Sequence, residues 1–358
     1  MEFLNAYGLF LAEVITLLLA LFVALMMIAG MRQQRRSEPG GQLQVKHLND
    51  ALEQITKSLQ QAMLSDEAQK AAVKAEKKAA KAKIKAEKRA LKSEAKAVAE
   101  PKAEKESTNP GKIFVLNFEG DVEASGVDSL REEITAILSV AEATDEVVVR
   151  LESPGGVVHG YGLAASQLKR ITDHGISLTV AVDKVAASGG YMMACIADTI
   201  IAAPFAVLGS IGVVAQMPNF HRFLQKQSVD VELHTAGEHK RTLTLFGENT
   251  DEGRAKFKSE LEDVHQLFKA FVSENRPSVE IDQVSTGEAW YGSRALEMGL
   301  IDRIQTSDEY LIESMKDRAA YAISYDVPES RVEKLIKRFA QLSGRLPGRE
   351  RLLARHNL

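Results

Sequence analysis

The residues with the most chemical content are Ser188 and the glycine pair behind it, in the stretch DKVAASGGYMMA from Asp183 to Ala194. The run before it, SLTVAV from Ser177 to Val182, reads as a strand, and GGYMMACIAD reads as the first turns of a helix. A serine at such a junction sits on a sharp turn, beside backbone N–H groups that a helix start leaves unpaired and that can stabilise a developing oxyanion. The same small residues would equally suit a turn that only lets a helix pack closely on a sheet. A second turn, Ser153-Pro154-Gly155-Gly156, follows the apolar run EVVVRLES. Two glycine turns at one edge fit acyl transfer, because glycine lets several N–H groups converge on a single oxygen.

A serine nucleophile needs a base, and histidine or lysine can fill that role. His159 follows the first glycine turn and His174 lies in a loop, neither with an evident carboxylate partner. A lysine can serve where burial favours its neutral form. Lys184 is close to Ser188 in the chain, and Lys240, in TAGEHKRTL, stands 52 positions beyond it. The sequence pattern leaves these alternatives open.

The elements that must position these residues begin at Lys112. KIFVLNFEG reads as a strand, Val127 to Ala141 as a helix and EVVVRLES as a buried strand, followed by a helix over Tyr161–Thr172 and the strand SLTVAV. Strands alternating with helices predict an α/β domain of βαβ units with right-handed crossovers, its site at the carboxyl ends of the strands. Both glycine turns should then lie at the same edge. Gly209-Ser210-Ile211-Gly212 reads as a turn within the sheet, Met192 and Met193 as core or as the wall of a small apolar pocket, and Trp290 and Tyr291 as cover for a helix layer.

At 358 residues the chain exceeds one typical domain, which predicts a folded unit with appendages. Leu9 to Ala29 is almost wholly apolar and, as a helix, would be about 30 Å long, enough to span a bilayer. With no basic residues before it and no small-residue cleavage pattern after it, it reads as an uncleaved anchor. Arg32, Arg35 and Arg36 behind this run place the bulk of the chain on the cytoplasmic side by the positive-inside rule. Leu48, Leu52, Ile55 and Leu59 have the spacing of a juxtamembrane helix, and residues 69–106, alanine and lysine that can bury no core, read as a spacer or as a polybasic tract against anionic lipid. Pro101 and the run Thr108-Asn109-Pro110-Gly111 mark the domain boundary. The expected domains are an anchor over 1–36, the helix and spacer over 37–110, a catalytic domain over 111–310 and a helical tail over 311–358. A fragment starting near Lys112 should therefore stand alone. In the tail, Val332, Leu335, Ile336, Phe339 and Leu342 share one helical face, as for packing on an oligomer or for contact with a membrane.

The 45 Lys and Arg against 49 Asp and Glu give a net charge of −4, so nucleic acid is not an expected partner. Cys195 is the only cysteine, which excludes an intramolecular disulfide. No cofactor or metal is expected.

Five blocks together resemble the signal peptide peptidase A family: SPGG at Ser153–Gly156, DKVAASGGYMMA around Ser188, ADTIIAAPFAVLGSIGV at Ala197–Val213, AGEHKRTLT around Lys240 and TGEAWYGSRALEMGLID at Thr286–Asp302. They run in order from about Lys112 to Ile304. The resemblance implies a ClpP/crotonase-like fold of repeated ββα/βαβ units and a serine endopeptidase with a Ser/Lys dyad. By position, Ser188 is similar to the family's nucleophile and Lys240 to its general base, while the backbone N–H groups of Gly156 and Gly189 match its oxyanion hole. It further implies peptide or unfolded substrates, signal peptides among them, and a homo-oligomer in which neighbouring protomers complete the dyad. Lipid contact would be through the N-terminal helix. It implies a bacterial inner-membrane location with the domain facing the periplasm, opposite to the side favoured by the arginines. A crotonase-type acyl-CoA enzyme on the same fold would need no serine nucleophile, and a non-enzymatic membrane scaffold would need neither residue of the dyad.

Overall fold

The computed structural model describes residues 10–11, 14–16, 41–63, 110–237 and 239–327. The chain falls into two compact units, residues 43–325 and a second made of residues 1–42 and 326–358. Nearly all described residues belong to the first. The spacer over 69–106 and the amphipathic tail over 331–342 lie outside the described residues, as does most of the apolar run over 9–29. Among the described residues, no helix is long and apolar enough to cross a membrane.

The elements in chain order are β1 (Gln42–His47), α1 (Leu48–Ala62), β2 (Lys112–Glu119), α2 (Val127–Leu138), β3 (Glu146–Glu152), α3 (Val158–Asp173), β4 (Ser177–Val182), β5 (Val185–Ala187), α4 (Gly189–Ala194), β6 (Thr199–Ala202) and β7 (Val207–Gly209). Then come α5 (His221–Lys226), α6 (Asp251–Asn275), α7 (Ile281–Val284), β8 (Ala289–Tyr291), α8 (Gly292–Glu297), β9 (Arg303–Ile304), α9 (Ser307–Ser314) and β10 (Ala319–Asp326). Seven strands form one sheet in the order β1-β10-β2-β3-β4-β6-β9, with every pairing from β10 to β9 parallel. A parallel strand covered on both faces is apolar throughout, and this accounts for the near-continuous apolar runs of β2, β3 and β4. On α2, Leu130, Ile134 and Ile137 recur at the spacing of one helical face, as do Tyr161, Ala164, Leu168 and Ile171 on α3. These side chains form the main core against the sheet.

A smaller sheet, β5-β7-β8, lies where β3 and β4 end. Ser153, next after β3, pairs with Ala186 of β5, and β5 follows β4 after two residues. The small sheet thus continues the carboxyl edge of the large one, and both glycine turns lie on that edge. Trp290 and Tyr291 belong to β8 of this sheet rather than to a helix cover, because they pair antiparallel with Val207 and Leu208.

The sheet also reaches beyond the expected span of 111–310. β10 is β2's parallel partner, with β1 outside it. The helical spacing of Leu48 to Leu59 does form α1, but of these only Leu48 packs on the core, while Ile55 and Leu59 are exposed. Asn49 instead ties α1 down. Its Nδ2 donates to the carbonyls of Met315 and Arg318, both at 3.1 Å, and its Oδ1 accepts the Ala320 N–H at 2.8 Å. A fragment starting at Lys112 would strip β10 of these partners.

Candidate active site

Ser188 joins β5 to α4 with φ 51° and ψ −119°, in the left-handed half of the map that a non-glycine residue enters only under constraint. Its N–H donates to the Gly209 carbonyl at 2.7 Å, and its carbonyl accepts from Met192 N–H at 3.0 Å. Gly209, read from sequence as part of a sheet turn, thus holds the strained peptide from β7. A serine before a helix ordinarily caps it through Oγ, yet Ser188 makes no side-chain cap bond, so the hydroxyl is free for other work. A nucleophile at this turn would need an uncapped hydroxyl.

Gly155, at φ 88°, fits directly against this turn. A Cβ on it would fall 2.7 Å from the Ala187 oxygen, the Gly189 nitrogen and the Ser188 Cβ. The two glycine turns are therefore in contact. Among the described residues, neither the Gly156 N–H nor the Gly189 N–H has a hydrogen-bond partner. Both residues line one cavity with Ser188, of about 460 Å³, walled by apolar side chains that include Met192, Val213, Val264 and Phe268. Of the methionine pair, Met192 faces this cavity and Met193 is fully buried core. A second, more polar cavity of about 550 Å³ shares Gly156 and Ser188 and adds Ser210, His265, Thr286 and Gly287. Ser188 stands where the two meet. A hydroxyl, two free N–H donors and an apolar recess suit acyl transfer from a peptide carbonyl.

The candidate bases are placed differently. Lys184 donates to both carboxylate oxygens of Glu152, at 2.7 and 3.0 Å. This hydrogen bond and the Glu152 charge hold its ammonium above the ordinary lysine range, so it stays protonated. His159 is exposed, and the exposed His174 has Nδ1 2.7 Å from the Arg170 carbonyl. Lys240 is exposed on the excursion between β7 and α6, lines neither cavity and has no hydrogen bond to Ser188. Within one chain, Ser188, Gly156 and Gly189 come together, and Lys240 stands apart.

One residue of the polar cavity was not singled out from sequence. His265 is half-buried on α6, with Nε2 3.3 Å from the Ile211 carbonyl. It shares a helical face with the buried Phe268 and Val272, at i, i+3 and i+7, and that spacing was the available signal.

The chain matches the family model described as Peptidase family S49 N-terminal over residues 2–168 and the one described as Peptidase family S49 over residues 170–321. It is 50% identical over 333 residues to a Haemophilus influenzae protein named Probable protease SohB, covering 93% of this chain and 92% of that one. A protein of the same name from Buchnera aphidicola subsp. Schlechtendalia chinensis is 48% identical over 315 residues, covering 87% of this chain and 99% of that one. Among solved structures, a mutant of the 1510-N membrane-bound stomatin-specific protease with a substrate peptide aligns over 64% of this chain at 14% identity, with a TM-score of 0.39 and 98% of that chain covered.

Proposed function

We propose, since the chain belongs to peptidase family S49, that this protease is a membrane-anchored serine endopeptidase with a Ser188–Lys240 dyad, acting on unstructured polypeptide segments such as signal peptides. The observation that carries the reading is the junction at Ser188. A strained serine whose Oγ caps nothing shares a cavity with two unpaired N–H groups from neighbouring turns. In this reading Oγ attacks the scissile carbonyl as its proton passes to the Lys240 amine. The carbonyl electrons move to oxygen, where the Gly156 and Gly189 N–H groups receive them. Collapse of the tetrahedral species breaks the C–N bond, and the leaving amine takes the proton back. Water then repeats the sequence on the acyl-enzyme.

Lys184 is occupied by Glu152, which favours Lys240 as base. The exposure of Lys240 favours a dyad completed by a second copy, because its excursion carries uncovered apolar side chains that suit an interface. The apolar cavity suits an aliphatic substrate side chain next to the scissile bond. The parallel sheet with a small side sheet at its carboxyl edge fits a ClpP/crotonase-like domain. The apolar run Leu9–Ala29 supports a single-pass anchor in the inner membrane.

The test is fluorophosphonate labelling of the purified full-length protein. Wild type should take the label on Ser188, and Ser188→Ala should take none. Equal labelling of the two would end the reading.

A further inference from the structure

Between the two glycine turns and the core lies a chain of hydrogen bonds whose proton directions are fixed. The Asp121 carbonyl can only accept, so the Tyr161 O–H donates to it, at 2.7 Å. The phenol oxygen, its proton spent, then accepts from the Ser153 O–H at 2.6 Å. Ser153 Oγ in turn accepts the Gly155 N–H at 3.1 Å. Ser153 and Tyr161 are both fully buried, so neither hydroxyl can trade these partners for water without opening the domain. Burial also holds the Tyr161 phenol above its ordinary range, which keeps it a donor.

The ring of the same tyrosine supports the other turn. A Cβ at Gly189 would fall 2.4 Å from Tyr161 Cγ, and one at Gly120 would fall 2.3 Å from the hydroxyl. The Gly189 backbone therefore rests directly on the ring. The acceptor end is fixed as well, because Asp121 Oδ1 and Oδ2 accept the Ser125 N–H and O–H at 2.8 and 2.6 Å.

We infer that Tyr161, acting through Ser153, is a positioning residue that sets both halves of the oxyanion hole: its hydroxyl fixes the Gly155-Gly156 turn and its ring fixes Gly189. This rests on the peptidase reading. Neither side chain touches substrate, so binding should be spared while the transition-state oxyanion loses alignment. Displacing catalytic donors by a fraction of an ångström to one ångström lowers turnover by about 10- to 100-fold.

The experiment compares full-length wild type, Tyr161→Phe, Ser153→Ala and the double variant by peptide hydrolysis, thermal melting and amide hydrogen exchange of residues 153–157. The expected result is a kcat lowered about 10- to 100-fold with KM within about 2-fold, and a double variant no slower than the worse single one, since either change breaks the same chain. Exchange at Gly155, whose N–H is held by Ser153 Oγ, should quicken at temperatures where the fold is intact. An unchanged kcat in Tyr161→Phe, a loss that only follows the unfolded fraction, or additive losses in the double variant would overturn the inference. If wild type neither cleaves nor takes a fluorophosphonate, the peptidase reading fails, and the exchange arm still decides by itself whether the hydroxyls fix the turn.

Discussion

Every residue from Gly189 to Ala197, directly behind the nucleophile turn, is buried, whereas among the described residues from Val214 to Phe246 none is. The first stretch is held by core packing. Tyr161 lies under Gly189, the Tyr191 hydroxyl donates to the Leu300 carbonyl at 2.9 Å, and Ser153 sits under the oxyanion turn. The second stretch, which carries Lys240, is held at its base. The Phe220 N–H reaches the Leu245 carbonyl at 2.7 Å, and Asn219 Nδ2 donates to the carbonyls of Thr244 and Gly247. Beyond that closure Phe223 and Leu233 are exposed, and α5 buries nothing. A single chain therefore builds the Ser188 half of the proposed site to the density of a core and leaves the Lys240 half without one. The contrast teaches that core packing holds Ser188 at φ 51° and ψ −119°, while the arm's uncovered apolar side chains leave a surface of the kind that a partner covers.

The largest effect should come from deleting the proposed nucleophile. Ser188→Ala is expected to lower kcat by about 10⁶-fold with an unchanged melting temperature, because only an oxygen that caps nothing is lost. Wild-type turnover in that variant would break the comparison at its rigid end.

On the arm, Lys240→Ala and Lys240→Arg should both lose about 10²- to 10⁴-fold, since a guanidinium cannot act as a neutral base. Mixing Lys240→Ala chains with Ser188→Ala chains should restore part of the activity if the halves meet between copies. Activity retained in Lys240→Arg would move the base to another group, and the absence of recovery in the mixture would argue that each chain completes its own site.

Backbone fit gives a smaller effect. Gly155→Ala must adopt φ 88° and place a methyl 2.7 Å from Ser188 Cβ, so denaturant unfolding should report a loss of about 1–3 kcal/mol. The smallest change in stability is expected on the arm, where Phe223→Ser should stay within about 0.5 kcal/mol while sedimentation shows a smaller assembly. Equal destabilisation at Gly155 and Phe223 would erase the distinction between the two regions. At the end of α4, burial pushes the Cys195 thiol up to about 12, so almost none is thiolate at pH 8. An alkylating reagent should modify it only as the protein unfolds, as read by mass spectrometry of the intact chain. Labelling of the folded protein at the rate of a free thiol would show that the nucleophile helix is not closed.

Much of the central fold could be read from the chain. β2, β3 and β4 are short apolar runs, and parallel strands with both faces covered leave that signature in local composition. Ser188, Gly156 and Gly189 were legible for the same reason, since small residues after a strand mark a turn where backbone approaches closely. The edge of the sheet was not legible. β1 and β10 lie far apart in the chain, and the alternation of Leu43 and Val45 in β1 is too short to announce its place. Trp290 and Tyr291 look like any aromatic pair until β7 supplies the partner that makes them a strand.

By itself, then, the sequence determined the central strands and helices, where the chain turns sharply, and which hydroxyl stands at such a turn, because these depend on side-chain period and backbone freedom over a few residues. Only the tertiary structure decided that the Ser188 hydroxyl is left uncapped, that Tyr161 lies beneath both turns, that His265 faces the polar cavity, and that Lys184 is taken by Glu152 while Lys240 stands exposed. Those outcomes depend on which distant surfaces meet, and the meeting is set by the packing of the whole domain rather than by any stretch of it.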